Sequence, residues 1–85
     1  MKHATEEDLI PIAGLLDKIR CEKCVKERKS GVFYCRGKAF LHLHEDRRGL
    51  FADLRGPDWE RLAVSDRRWQ ALLLAKMSRL LSGPG

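Results

Sequence analysis

The chain is patterned as an α+β domain: an antiparallel sheet of three or four strands, flanked on one face by an N-terminal and a C-terminal helix. Two apolar stripes at helical spacing bracket it, Ile12, Leu15, Leu16 and Ile19 near the start and Trp69, Leu72, Leu73, Met77, Leu80 and Leu81 near the end. Between them lie three stretches of alternating character, Val32 to Arg36, Lys38 to His44 and Leu50 to Leu54, parted by breaks that contain glycine. Helices outside a run of antiparallel strands gather on one face of a small sheet. At 85 residues the chain makes one domain, residues 1–85, with one modest core.

The first helix is expected from Asp8 to Arg20. Thr5 and Asp8 have the spacing of a capping box, and a start at Asp8 places Pro11 in the first turn, where its missing N–H costs little. Gly14 weakens such a helix by about 1 kcal/mol relative to Ala, so packing must hold it. Cys21 to Ser30 reads as a charge-dense connector. Arg36-Gly37 fits a two-residue hairpin turn in which glycine supplies a positive φ, and Glu45 to Gly49 closes a second hairpin. Arg55-Gly56-Pro57-Asp58 is the strongest breaker. Trp59 to Val64 then forms a fourth, edge strand, or a helical turn capped by Asp58. Ser65 is the expected N-cap of the last helix, and Ser82 to Gly85 ends it. Trp59 and Trp69 are expected to pack in the core and under the helix.

A two-residue turn fixes which residues face each other. It pairs Cys35 with Lys38 and Phe33 with Phe40, and a second hairpin matching Leu43 with Leu50 continues the pattern. One face then holds Val32, Tyr34, Ala39, Leu41, Leu43, Leu50, Ala52 and Leu54, which the helices should cover. The other collects Phe33, Cys35, Lys38, Phe40, His42, His44, Phe51 and Asp53. Three phenylalanines on a solvent face make a patch that small monomers avoid. The expectation is therefore an interaction surface of Phe33, Phe40, His42, His44, Phe51 and Asp53, covered by a second copy in a homodimer or by the connector.

The formal net charge is +5 and the sequence pI about 9.5, a balance that favours anionic partners. Lys18, Arg20, Lys23, Lys26, Arg28 and Lys29 lie beside Arg36 and Lys38, and phosphate contacts through such residues are sequence-independent and salt-sensitive. Nucleic acid is thus the alternative partner, although Glu22 and Glu27 dilute the positive field and no RRM-like signature is present.

Cys21-x-x-Cys24 has the spacing of a zinc knuckle, which Cys35 with His42 or His44 could complete. Neither a second C-x-x-C nor an H-x-x-x-H accompanies it, so zinc is an alternative and no cofactor is the default. An odd number of cysteines without an export signal points to reduced thiols or ligands and not to a disulfide framework. Cys21 follows a helix, unlike the thioredoxin-type pair at a helix N-terminus. His42-Leu43-His44-Glu45-Asp46 resembles a dinuclear metallohydrolase run, yet a chain this short lacks the further ligands such a site needs. Ser65, His42 and Asp53 have no nucleophile elbow or oxyanion hole around them, so no catalytic residue is expected. The polar start from Met1 to Asp8 is unlike a signal peptide, and the longest apolar run, Ala71 to Ala75, falls far short of the ~20 residues that span a bilayer. A cytoplasmic location without a membrane partner is expected.

From Leu15 to Leu54 the chain resembles the MmcQ/YjbR-like proteins. The likeness lies in a helix, a Val-Lys-Glu-Arg run in the connector, and the segment Gly-Val-Phe-Tyr-Cys-Arg-Gly-Lys-Ala-Phe, with Arg36, Gly37, Lys38 and Phe40 carrying most of it. Cys21 to Cys24 stand where that family has a Leu-Pro-Gly turn. The resemblance implies a small α+β fold of mostly unassigned activity, sometimes suggested to bind DNA, and it brings no catalytic residue.

Overall fold

The computed structural model describes residues 2–82. Its elements are β1 (Lys2–His3), α1 (Glu6–Leu9), a 3₁₀ turn (Ile10–Ile12), α2 (Ala13–Arg20), β2 (Val25–Lys29), β3 (Val32–Cys35), β4 (Lys38–Asp46), β5 (Gly49–Arg55), β6 (Trp59–Ala63) and α3 (Arg67–Ser82). The class is α+β as expected, with an antiparallel sheet and helices at both ends. The strands run in the order β2-β3-β4-β5-β6, and the two-residue β1 pairs with β4 beyond the end of β3. The sheet is larger than expected because the connector supplies β2. Only Val25 of that strand is buried, and edge strands dense in lysine and glutamate resist unwanted pairing while keeping their ladder. Trp59–Ala63 is the edge strand on the other side. Among the described residues no helix is long and apolar enough to cross a membrane.

The capping box forms: Asp8 N donates to Thr5 Oγ1 at 3.3 Å and Thr5 N donates to Asp8 Oδ2 at 2.9 Å. It starts the helix at Glu6, two residues ahead of the expected position. Pro11 therefore falls past the first turn, and the chain tightens into a 3₁₀ turn there before resuming as α2. Leu9, Ile12, Leu15, Leu16 and Ile19 are all buried despite the break. Arg20 clamps Glu27 of β2 through Nε at 2.8 Å and Nη2 at 3.1 Å, and Gly31 N donates to Glu27 Oε2 at 3.2 Å. One carboxylate thus ties α2, β2 and the β2–β3 turn together. At the other end Asp66, not Ser65, caps α3 by accepting from Trp69 N at 3.0 Å. Ser65 Oγ accepts from Leu50 N at 3.3 Å instead. Of the stop expected over Ser82 to Gly85, Ser82 is the last residue of α3 and the remaining three lie outside the described residues.

The register departs from expectation at one point. Cys35 pairs with Lys38 and Tyr34 with Ala39, but Phe33 then pairs with Leu41 and Val32 with His42. Phe40 is the extra residue of a β-bulge, and a shift of one position exchanges faces. Phe33 and Phe40 consequently join Leu41 and Leu43 in the core, with Phe33 0 % and Phe40 7 % exposed. Tyr34 and Val32 move to the opposite face. The second hairpin slips by two, Leu43 meeting Ala52 and His44 meeting Phe51. An even slip keeps faces, so Leu50, Ala52 and Leu54 stay in the core as expected. Both helices cover this one side: Leu15, Leu16 and Ile19 of α2 and Leu73 and Met77 of α3 belong to the same apolar cluster as Leu41, Leu43 and Leu54. The two tryptophans are not packing residues: Trp59 is 48 % and Trp69 44 % exposed.

Burial of Phe33 sets an expected cost of about 3–5 kcal/mol for Phe33→Ala, far above that for Phe51→Ala, measured as urea-unfolding free energies. Gly31 gives a second test. Its φ is +77°, and an added Cβ meets Leu9 Cδ1 at 3.3 Å and Leu43 Cβ at 3.4 Å, whereas Gly37, at φ +80°, has open space around it. Both Ala substitutions lose about 1 kcal/mol from the left-handed backbone. Gly31→Ala should lower the melting midpoint further than Gly37→Ala does.

Candidate functional site on the open face of the sheet

The face turned away from the helices is built by alternation outward from Val32, His42, Asp53 and Arg61, which the register sets side by side across β3, β4, β5 and β6. Two steps along the strands lie His44 and Phe51 toward one end, and Tyr34, Arg55 and Trp59 toward the other. His3 of β1 stands opposite His44. Lys26 pairs with Tyr34, and Lys29 with Val32. A second bulge, at Arg28, turns both Arg28 and Lys29 to this side.

At the centre is a polar cluster. Asp53 accepts from Arg61 Nε at 2.8 Å and Nη2 at 3.1 Å, and its Oδ2 lies 3.0 Å from His44 Nε2. The paired bonds from Arg61 hold the Asp53 carboxyl below the usual carboxylate range, against the opposing effect of burial. The His44 ring centroid is 6.0 Å from those of both His3 and His42. His3 Nε2 lies 3.2 Å from the carbonyl oxygen of Ser30. The His42 ring is 5.5 Å from Trp59, and its Nε2 is buried with no hydrogen-bond partner. Burial, followed by the neighbouring His44 and His3, lowers the affinity of His42 for a proton.

Around this cluster three guanidinium groups lie over aromatic rings: Arg28 over Tyr34 at 5.3 Å, Arg48 over Phe51 at 5.5 Å and Arg55 over Trp59 at 5.8 Å. Next to the Arg36-Gly37 turn, Cys24, Lys26, Arg28, Tyr34, Arg36 and Gly37 line a hollow of about 150 Å³. Asp46, the other carboxylate that alternation gives this face, is held by Arg48 through its backbone N at 2.8 Å and Nη2 at 3.2 Å.

The structure sorts the sequence candidates cleanly. His42, His44, Phe51 and Asp53 share the open face, while Phe33 and Phe40 are in the core. Of the basic candidates, Lys26, Arg28 and Lys29 are on the open face and Arg36 sits at the turn. Lys38 lies opposite Cys35, on the helix side at the tip of the β3–β4 hairpin, and Lys23 precedes β2. Of the zinc candidates, Cys24 and Cys35 lie at the open end of the β2–β3 hairpin, but Cys35 belongs to the helix side and His42 to the open side. Among the described residues no three His, Cys, Asp or Glu side chains come together to hold a metal ion. Sequence reading passed over His3, Tyr34, Arg48, Arg55, Trp59 and Arg61. Carrying strand alternation through Trp59–Ala63 selects Trp59 and Arg61; the phase slip at Phe40–Leu41 selects Tyr34.

Comparison with family models, curated proteins and solved structures finds no match for this chain.

Two of the depressed groups, His42 and Asp53, show the sign of the acid response. A group whose proton affinity falls on folding contributes stability above its unfolded pKa and loses it as pH drops. His42 acts from its ordinary 6.5 downward, and Asp53 from its ordinary 3.8 downward. NMR titration should place the His42 midpoint below 6.5. The melting midpoint should decline between pH 7 and 5, with a smaller decline in His42→Gln. A second fall below about pH 4 should be weaker in Asp53→Asn.

Proposed function

We propose that the chain is a nucleic-acid-binding module that takes a single strand across the open face of its sheet. The observation that carries this reading is the trio of arginine–aromatic pairs on a face that no helix covers. An exposed aromatic ring such as Trp59, 48 % exposed, offers a base a stacking surface worth ~1–3 kcal/mol per base, and the guanidinium beside each ring meets the adjoining phosphate or stacks in turn. Lys26, Lys29 and the hollow by Arg36 extend the cationic track beyond the rings. The carboxylates on this face, Asp46 and Asp53, are each held by an arginine, so the field they oppose is largely answered locally. The net charge of +5 supports the same reading. The resemblance to MmcQ/YjbR-like proteins, whose shared residues include Arg36 and Gly37, stands beside it as a further proposal. So does a non-enzymatic cytoplasmic role.

Self-association loses its main support, because two of its three phenylalanines are buried and the third, Phe51, lies under Arg48. It keeps a place as an outcome of the test through Trp59.

Fluorescence anisotropy with labelled single-stranded DNA and RNA tests the proposal. Affinity should fall steeply with salt, with a log–log slope of roughly −2 to −4 if about three to five phosphates are neutralised. In the Trp69→Phe background, Trp59 emission should be quenched on binding. Trp59→Ala should weaken binding about 5- to 100-fold, and Arg28→Ala should also flatten the salt slope. Absence of binding at low salt, or sedimentation as a dimer through the Trp59 face, sinks the proposal.

A further inference from the structure

The hollow beside the Arg36-Gly37 turn lies at a corner of the open face, where β2 is the last strand and the β3–β4 hairpin ends. Its volume is about 150 Å³, well below the roughly 300 Å³ at which small-molecule pockets begin. It therefore has room for a group and not for a whole molecule. Lys26, Arg28 and Arg36 line it, Cys24, Tyr34 and Gly37 complete its wall, and among the described residues no carboxylate belongs to it. Lys26 stands opposite Tyr34 across the β2–β3 pair, and Arg28 lies over the Tyr34 ring at 5.3 Å. Arg36 has a φ of +55°, and among the described residues it alone, glycines aside, takes a positive value. That conformation costs a residue with a side chain roughly 1–2 kcal/mol, and tight hairpin turns ordinarily place Asn, Asp or Gly there. An arginine at this position weakens the turn and adds a third cation to the hollow.

We propose that the hollow binds the terminal phosphate monoester of a single strand lying on the open face, an inference that rests on reading that face as a nucleic-acid track. Size selects a group, and three cations without a carboxylate select an anionic one. A phosphate monoester carries about −1.5 to −2 charge at neutral pH, whereas an internal phosphodiester carries a single negative charge. The dianion therefore gains more from this lining, and arginine meets phosphate oxygens through paired N–H donors. Position points to an end as well. Trp59 of β6 and Tyr34 of β3 stand toward the same end of the open face. Past Tyr34 only β2 remains in the sheet. A strand that crosses from Trp59 to Tyr34 finishes at the hollow.

The test measures binding of the full chain to one single-stranded sequence in four forms: hydroxyl at both ends, 5′-phosphate, 3′-phosphate, and the tighter of these two blocked as its methyl ester. One phosphorylated form should bind roughly tenfold tighter than the hydroxyl form, and the methyl ester should lose most of that gain. The 5′ and 3′ arms identify which end is held. Lys26→Gln and Arg36→Gln, with their folds checked by circular dichroism, should abolish the preference. Trp59→Ala should weaken all forms by one common factor and leave the preference intact. A nucleoside monophosphate alone lacks the rest of the track and should bind about tenfold more weakly or worse than the preferred form. Equal affinity for every end, a preference that both Gln variants retain, or a free nucleotide as tight as the oligonucleotide overturns this inference and leaves the single-strand reading standing. Failure of every form to bind at low salt overturns both.

Discussion

Everything on both sides of the sheet depends on the extra residue at Phe40. Strand alternation allows one face to be apolar only while the phase holds, and here the phase changes once, in the middle of the first hairpin. Because Phe40 is unpaired, it and Leu41 both reach the helix side. Phe33 is drawn into the core opposite Leu41, and Tyr34 is turned out beneath Arg28. Without the bulge, Phe33 would stand among the histidines and Tyr34 under the helices. The apolar cluster and the cationic aromatic face are two results of the same local defect.

This explains what was legible in the sequence. The helices and the three central strands follow from periodicity, the edge strand at Trp59 is one of the two forms the sequence allows there, and the capping box follows from spacing. The faces of His42, His44, Phe51 and Asp53 follow too, because the run from Leu41 onward alternates without interruption and a two-residue slip in the second hairpin leaves faces unchanged. What failed was the extrapolation of a tight turn across an irregularity. Its trace is present: Phe40 and Leu41 are consecutive large apolar residues in a strand that otherwise alternates, and Val32-Phe33 is a matching doublet. The strand in the connector leaves almost no hydrophobic signature, because β2 buries a single side chain and its strand character comes from hydrogen bonding to β3. The exposure of Trp59 is hidden from the sequence for another reason. Composition favours burying a tryptophan, and only its place in β6, opposite Arg55, shows that the position faces outward.

The two faces are held by different forces. The helix side is sealed by aliphatic and aromatic packing, with no buried polar or charged residue among those described, and depends on water exclusion. On the open side Asp53 is the junction, receiving Arg61 from β6 and lying against His44 of β4, so one carboxylate spans three neighbouring strands. His42 marks the boundary between these regimes. Its Nε2 is sealed from water yet has no partner, a cost borne within the most polar part of the molecule.

The charged edge at β2 has a consequence of its own. As the terminal strand of the sheet, β2 has no partner strand on one side among the described residues, and the mutual repulsion of Lys26, Arg28 and Lys29 between copies keeps another β-edge from docking there. Any polyanion that neutralises these side chains also removes that repulsion. With that repulsion gone, the strand would be left open to growth of the sheet by edge pairing, the hazard that comes with guarding an edge by charge alone.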